Sequence, residues 1–166
     1  YNFGDVGQNE DDRIVSGYKY EGVVVPQIQY LSNNRSIALK DNGFTIYQGS
    51  QIPKEVKTIE TDKEIVSTFY DDDMVGLVFK NDSKDKQYIM EVYNTADGKL
   101  KFKEDFNIPY TTIKLSGGNI LMYNSSQMCV MNSRGVQKYL GSVDGTIKDF
   151  FKIGMNRYLL VLDSGV

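Results

Sequence analysis

The chain has 166 residues, 40% apolar and 25% charged, with 12 Tyr, 8 Phe and no Trp; this is the profile of a folded domain able to bury roughly 70% of its chain surface, not of a disordered segment. Its 19 basic and 22 acidic residues give a net charge of −3, and no window gathers a basic cluster, which excludes nucleic acid as a partner. His is absent and Cys129 is the single cysteine, so an internal disulfide, Cys-cluster or His-ligated metal centres, and Ser-His-Asp or Cys-His catalysis are all excluded.

Residues 1–13 (YNFGDVGQNEDDR) carry two glycines and the acidic group Glu10, Asp11 and Asp12 without either apolar period, and read as a loose N-terminal arm. From Ile14 the chain breaks into short β-rich runs separated by turn residues, beginning with strands over 14–20 and 22–25. Four segments then share one layout of strand, polar turn and apolar strand. They are 27–31 with 36–39, 66–70 with 74–79, 111–115 with 120–123, and 147–153 with 158–162. Their first strands end at 31, 70, 115 and 153, matching the roughly 40-residue period of propeller blades. The longer middle step comes from the loop 81–86, which stands where other repeats have the shorter turns 41–43 and 124–126.

Within each repeat the second strand is apolar on both alternating faces, as in 75–79, 120–123 and 158–162, so it requires cover on both sides. The segments 55–60 and 99–103 alternate polar and apolar, as rim strands wetted on one face do. Residues 54–66 offer the one approach to a helical period, and the same stretch reads as strand plus turn. The expected fold class is therefore all-β, a β-propeller-like array of about four antiparallel blades in a partial or truncated propeller. The arm is 1–13 and the blades 14–166, with repeats near 27–64, 65–108, 109–146 and 147–166. Either 14–20 and 22–25 complete the last blade and close a small ring, or the chain belongs to a longer propeller, which is the preferred reading because closed propellers have about four to eight blades.

The segment 92–102 (VYNTADGKLKF) resembles the blade repeat of quinoprotein-type propellers, in which a strand ending in Asp or Asn is followed by a Thr-Gly-Lys-like turn and an aromatic. Here the turn is Asp97-Gly98-Lys99 and the aromatic is Phe102. The resemblance covers residues 27–166 in blade layout and this junction in motif. It departs from the quinoprotein enzymes in lacking every Trp. It implies blade architecture of the non-enzymatic kind found in bacterial extracytoplasmic scaffold and assembly proteins. The chain also looks like the ectodomains of uncharacterised, membrane-anchored bacterial propeller-like proteins.

No catalytic residue can be named and no cofactor is expected. Asp71, Asp72 and Asp73 are the candidate metal ligands, since adjacent carboxylates can hold a hard cation, but a run of Asp between two strands is first a turn former. Asp82, Asp85 and Lys86 are the candidate binding residues, in a mixed-charge loop that otherwise reads as solvated. Cys129 lies in an apolar strand and reads as a buried, inert thiol. Blade geometry puts the loops 41–43, 81–86, 107–110 and 124–126 on one face. The function expected is an extracytoplasmic binding or scaffold domain for a protein or glycan partner, anchored to a membrane through a segment N-terminal to the chain. The apolar runs here are far below the roughly 20 residues a membrane span needs. The alternative is a fragment of a propeller hydrolase or quinoprotein-type oxidoreductase whose catalytic residues lie outside the chain. Nothing in the residues fixes the oligomeric state.

Overall fold

The computed structural model describes residues 21–50, 52–83 and 85–163. The arm 1–13 and the strand expected over 14–20 lie outside the described residues. Among the described residues fourteen strands follow one another: β1 (Gln27–Leu31), β2 (Arg35–Lys40), β3 (Gly43–Gln48), β4 (Lys54–Glu60), β5 (Ile65–Tyr70), β6 (Met74–Lys80), β7 (Tyr88–Asn94), β8 (Leu100–Phe106), β9 (Thr112–Ser116), β10 (Asn119–Tyr123), β11 (Gln127–Asn132), β12 (Gln137–Ser142), β13 (Ile147–Gly154) and β14 (Arg157–Leu162). They form sheets β1-β2-β3-β4, β5-β6-β7-β8, β9-β10-β11-β12 and β13-β14, each a meander of sequence neighbours. The stretch 54–66 is strand and turn, with no helix. Residues 22–25 form no strand, contrary to expectation; Val24 O accepts one bond from Asp41 N at 3.0 Å. The physical reason is Pro26, whose missing N–H breaks any ladder leading into β1.

The chain falls into two compact units, one of residues 1–64 with the β7–β8 turn 94–99, the other of 65–93 with 100–166. In the first unit Ile37, Leu39, Phe44 and Ile46 are buried, and so are two cations. Arg35 Nη1 donates to Thr95 Oγ1 at 2.8 Å, and Lys40 Nζ pairs with Glu60 Oε1 at 2.8 Å, which offsets the cost of taking these charges from water. Gly43, with φ +146°, makes the β2–β3 hairpin possible: a Cβ there would lie 2.0 Å from Ile59 O, inside the β3–β4 ladder.

In the second unit the double-sided cover expected of the second strands is visible on β10. Ile120 and Met122 belong to a core with Phe69, Met74, Val78 and Met90. Leu121 and Tyr123, pointing the other way, belong to a separate core with Ile147 and Phe150. One strand thus seals two inter-sheet cores, and strict alternation assigns each side chain to one of them. On β14 residues 158–162 are half-buried, and its sheet has two strands among the described residues. β4 and β8 are largely exposed rim strands, as expected of 55–60 and 99–103, and β12 is exposed in the same way.

Each of these rim strands carries a bulge at the same register. Pairing runs Ile46↔Lys57 then Tyr47↔Glu55, Val92↔Phe102 then Tyr93↔Leu100, and Val130↔Tyr139 then Met131↔Gln137. Val56, Lys101 and Lys138 are the extra residues, so the bulge belongs to the repeat and increases the local twist of each outer strand.

Candidate functional site

Two regions of the second unit could meet a partner, at opposite ends of its strands. The first gathers the β6–β7 and β8–β9 loops with the β10–β11 turn. Asn81 N donates to Gln87 O at 2.8 Å and closes the base of the long loop, and Ser83 N to Asn81 Oδ1 at 3.2 Å shapes its ascent. Asp82, Asp85 and Lys86 are exposed on it. At the foot of the loop the rings of Tyr88 and Phe106 stack and Tyr110 packs tilted against both, with centroids 5.2 to 6.0 Å apart. Tyr110 Oη donates to Ser67 Oγ at 2.9 Å, and burial pushes its phenol above the ordinary value. Asn124 Nδ2 to Pro109 O at 2.9 Å and Ile147 N to Ser125 O at 2.7 Å tie the neighbouring loops together.

Asp71, Asp72 and Asp73 lie at the other end of β6, in the β5–β6 turn, so the two acidic groups named from sequence are not brought together. Asp71 Oδ1 accepts from Asp73 N at 2.9 Å and Met74 N at 2.8 Å, which is the turn-forming role of Asp. Among the described residues no three His, Cys, Asp or Glu side chains are grouped to hold a metal. Cys129 is buried on β11, and burial pushes its thiol up to about 11, leaving it protonated and unreactive near neutrality.

The second region, not anticipated from sequence, is a groove of about 430 Å³ between the third sheet and the β13–β14 hairpin, lined by Asn119, Val130, Asn132, Lys138, Tyr139, Lys152, Met155, Asn156 and Tyr158. Asn119 Nδ2 donates to Tyr158 Oη at 2.5 Å, and Lys152 Nζ to Gly117 O at 3.0 Å. Lys138, set on its bulge, makes no ion pair among the described residues, and no carboxylate lines the groove. The walls are held together deeper in the seam: Lys114 pairs with Asp149, whose Oδ1 also accepts from Tyr123 Oη at 3.1 Å and Phe150 N at 2.7 Å. The Lys114 ammonium, with those donors, holds the Asp149 carboxyl below the ordinary carboxylate range. Burial, then the bond to Asp149, raises the Tyr123 phenol. The only sequence signal for this groove is the Lys138-Tyr139 pair of the rim segment, which resembles any polar edge strand until its register is known.

Several solved structures share the fold. BamB from Moraxella catarrhalis matches with TM-score 0.54 and 12% identity over 96% of this chain and 44% of that one. BBS1N, solved in complex with ARL6DN and soaked with mercury, matches with TM-score 0.55 and 8% identity over 89% and 51%. The Neurospora crassa Pan2 WD40 domain matches with TM-score 0.50 and 14% identity over 84% and 46%. The chain thus spans about half the length of the structures it resembles. The likeness shows the fold, a β-propeller-like array of antiparallel blades. No curated protein matches the sequence. Across residues 1–166 the sequence matches a family of unknown function (DUF5711), and the chain belongs to that family.

Proposed function

We propose that the chain is a protein-binding scaffold domain that works outside the cytoplasm and engages its partner through the loop face of the second unit. The observation that carries this reading is the pairing of a charged, exposed loop with a stiff base. Asp82, Asp85 and Lys86 stand above an interlocked aromatic trio, and the adjoining loops are hydrogen-bonded to one another. Such a face loses little conformational freedom on binding, which favours affinity. The propeller-like fold supports the same reading, since a related fold, BBS1N, was solved in complex with ARL6DN. The extracytoplasmic address rests on the resemblance of the 92–102 junction to quinoprotein-type blades. The rival reading, a fragment of an oxidoreductase or hydrolase, gains nothing from Asp149, whose carboxylate is engaged by Lys114, Tyr123 and Phe150 N.

The test is to place a photo-crosslinking amino acid at Asp85 in the native host, identify the protein captured, and titrate it, purified, against wild type and an Asp82→Ala/Asp85→Ala/Lys86→Ala variant. The variant should bind at least about tenfold more weakly. Equal affinity removes this face from the function. Protease added to intact cells should degrade an extracytoplasmic domain, and full protection rejects the address.

A further inference from the structure

Arg35 and Lys40 are the two buried cations among the described residues, and only one of them has a counter-charge. Lys40 Nζ pairs with Glu60 Oε1. Arg35, 7% exposed, meets neutral acceptors alone: Ser32 O at 3.4 Å from Nε and Thr95 Oγ1 at 2.8 Å from Nη1. A guanidinium carries five N–H groups, so both on Nη2 and the second on Nη1 have no acceptor among the described residues. Holding such a charge away from water without a negative partner is costly.

The turns on either side of Arg35 offer no substitute, because their acceptors serve other donors. Asn33 and Asn34, at φ +58° and +55°, turn β1 into β2, and their carbonyls accept from Gln48 Nε2 at 2.7 Å and Gly49 N at 2.8 Å. On the turn that carries Thr95, Asn94 Oδ1 accepts from Ala96 N, and the Asp97 carboxylate accepts from Lys99 N and pairs with Lys99 Nζ at 3.0 Å. Nη2 is not sealed in, since among the described residues Asn42 Oδ1 is the one enclosed side-chain polar atom without a partner. The free corner of the guanidinium therefore reaches the surface at the bottom of a socket.

The socket lies on one row of the first sheet. Arg35 faces Gln48, and Gln48 faces Lys54; residues directly opposed across a ladder share a face. Gln48 and Lys54 are exposed, so they form the open side of the row. The segment leading into β1 runs at the opposite end of this sheet, where Val24 O accepts from Asp41 N at 3.0 Å.

We infer that Arg35 is the centre of an anion site on the first unit, that the site takes one carboxylate group on the free guanidinium corner, and that Gln48 and Lys54 border it. A single enclosed positive charge is balanced by a single negative one, and the planar fork matches a carboxylate edge. Lys54, exposed and next to Glu55, adds attraction but little net charge. The carboxylate comes from a small acid in solution or from an acidic side chain of a polypeptide. The site is separate from the loop face of the second unit and does not rest on it.

The probes are sodium acetate and a capped Gly-Glu-Gly peptide, titrated at constant ionic strength into the complete 166-residue chain labelled with heavy nitrogen. Each should give a saturable shift of the Arg35 Nε–H and Thr95 amide resonances. The capped Gly-Gln-Gly peptide, and Arg35→Lys with either probe, should bind at least about tenfold more weakly, because one lacks the charge and the other the fork. Lys54→Ala and Gln48→Ala, at exposed positions, should each weaken binding about threefold without moving the urea midpoint. Tighter binding of the peptide assigns the site to a polypeptide side chain, and tighter binding of acetate assigns it to a small acid. The Asp82→Ala/Asp85→Ala/Lys86→Ala variant should bind both probes unchanged. No saturable shift with either probe, equal binding of the Gln peptide, tighter binding of inorganic phosphate, or loss of binding in the loop variant each overturns the proposal. So does unchanged binding in Arg35→Lys or, should that variant not fold, in both Lys54→Ala and Gln48→Ala.

Discussion

Adjacent residues of β10 offer a direct measurement of the two-core arrangement. Ile120 and Leu121 are both fully buried, one in the core shared by the second and third sheets and one in the core shared by the third and fourth. Truncating either to alanine deletes buried methyl groups and leaves a cavity among packed neighbours, at a cost of about 3 kcal/mol within a range of roughly 2 to 5. That is about a hundredfold in the folding equilibrium. With a urea slope of about 2 kcal/mol/M, each variant's midpoint should fall by about 1.5 M. Because the two side chains face opposite cores and share no partner, the double variant should lose close to the sum, with coupling below about 0.5 kcal/mol. Urea unfolding followed by far-UV circular dichroism and tyrosine fluorescence measures all three. A sheet with one wet face would give one costly and one nearly neutral substitution, since alternate residues then face solvent. A loss below about 1 kcal/mol for either single variant therefore refutes the reasoning.

Three further outcomes follow from groups described above. The depressed Asp149 pKa is a stabilisation present above the ordinary Asp range and lost as pH falls through the lower folded-state value. The midpoint gap between wild type and Asp149→Asn should thus be constant from about pH 7 to about pH 5 and close below about pH 4, whereas a pH-independent gap would sever it from the Lys114 pair. Cys129 should react with a thiol reagent at neutral pH only as fast as the native state opens, and full labelling within the mixing time would contradict its burial. Asp71→Ala should cost about 1 kcal/mol by leaving two turn N–H groups without their acceptor, while Asp73→Ala stays within about 0.5 kcal/mol; equal losses, or a calcium-dependent rise in midpoint seen only with all three Asp present, would favour a metal site instead.

The strands were readable because their signal is local. The apolar runs 75–79 and 120–123 announce two-sided cover within five residues, and the turns after residues 31 and 70 fall on Asn and Asp that the structure uses for left-handed backbone or turn bonds, as at Asn33, Asn34 and Asp71. The groove was not readable because it is assembled from distant parts. Lys138 and Lys152 come to one place through a bulge and a sheet-to-sheet seam, and neither leaves a trace in spacing. Lys114 and Asp149, 35 positions apart, likewise look like ordinary strand charges until the seam joins them. The glycine at 98 was legible as a turn former, but the side chains on which it and Gly135 rest, Lys57 and Phe102, belong to other sheets. Tertiary proximity, not local propensity, decides such contacts. The 22–25 segment shows the reverse error: three consecutive valines carry strong strand propensity, and one following proline cancels it.

The extra residue in every rim strand bears on how this chain behaves in a crowded solution. β4, β8 and β12 are wetted outer strands, and a flat ribbon in that position invites edge-to-edge stacking of one molecule on the next. The kink at Val56, Lys101 and Lys138 breaks the regular comb of donors and acceptors, and two of the three sites add a lysine that a stacked neighbour would have to bury. Straightening these strands by deleting the three residues would trade a local irregularity for fibre formation. The irregularity copied into each four-stranded blade thus works against edge-to-edge stacking.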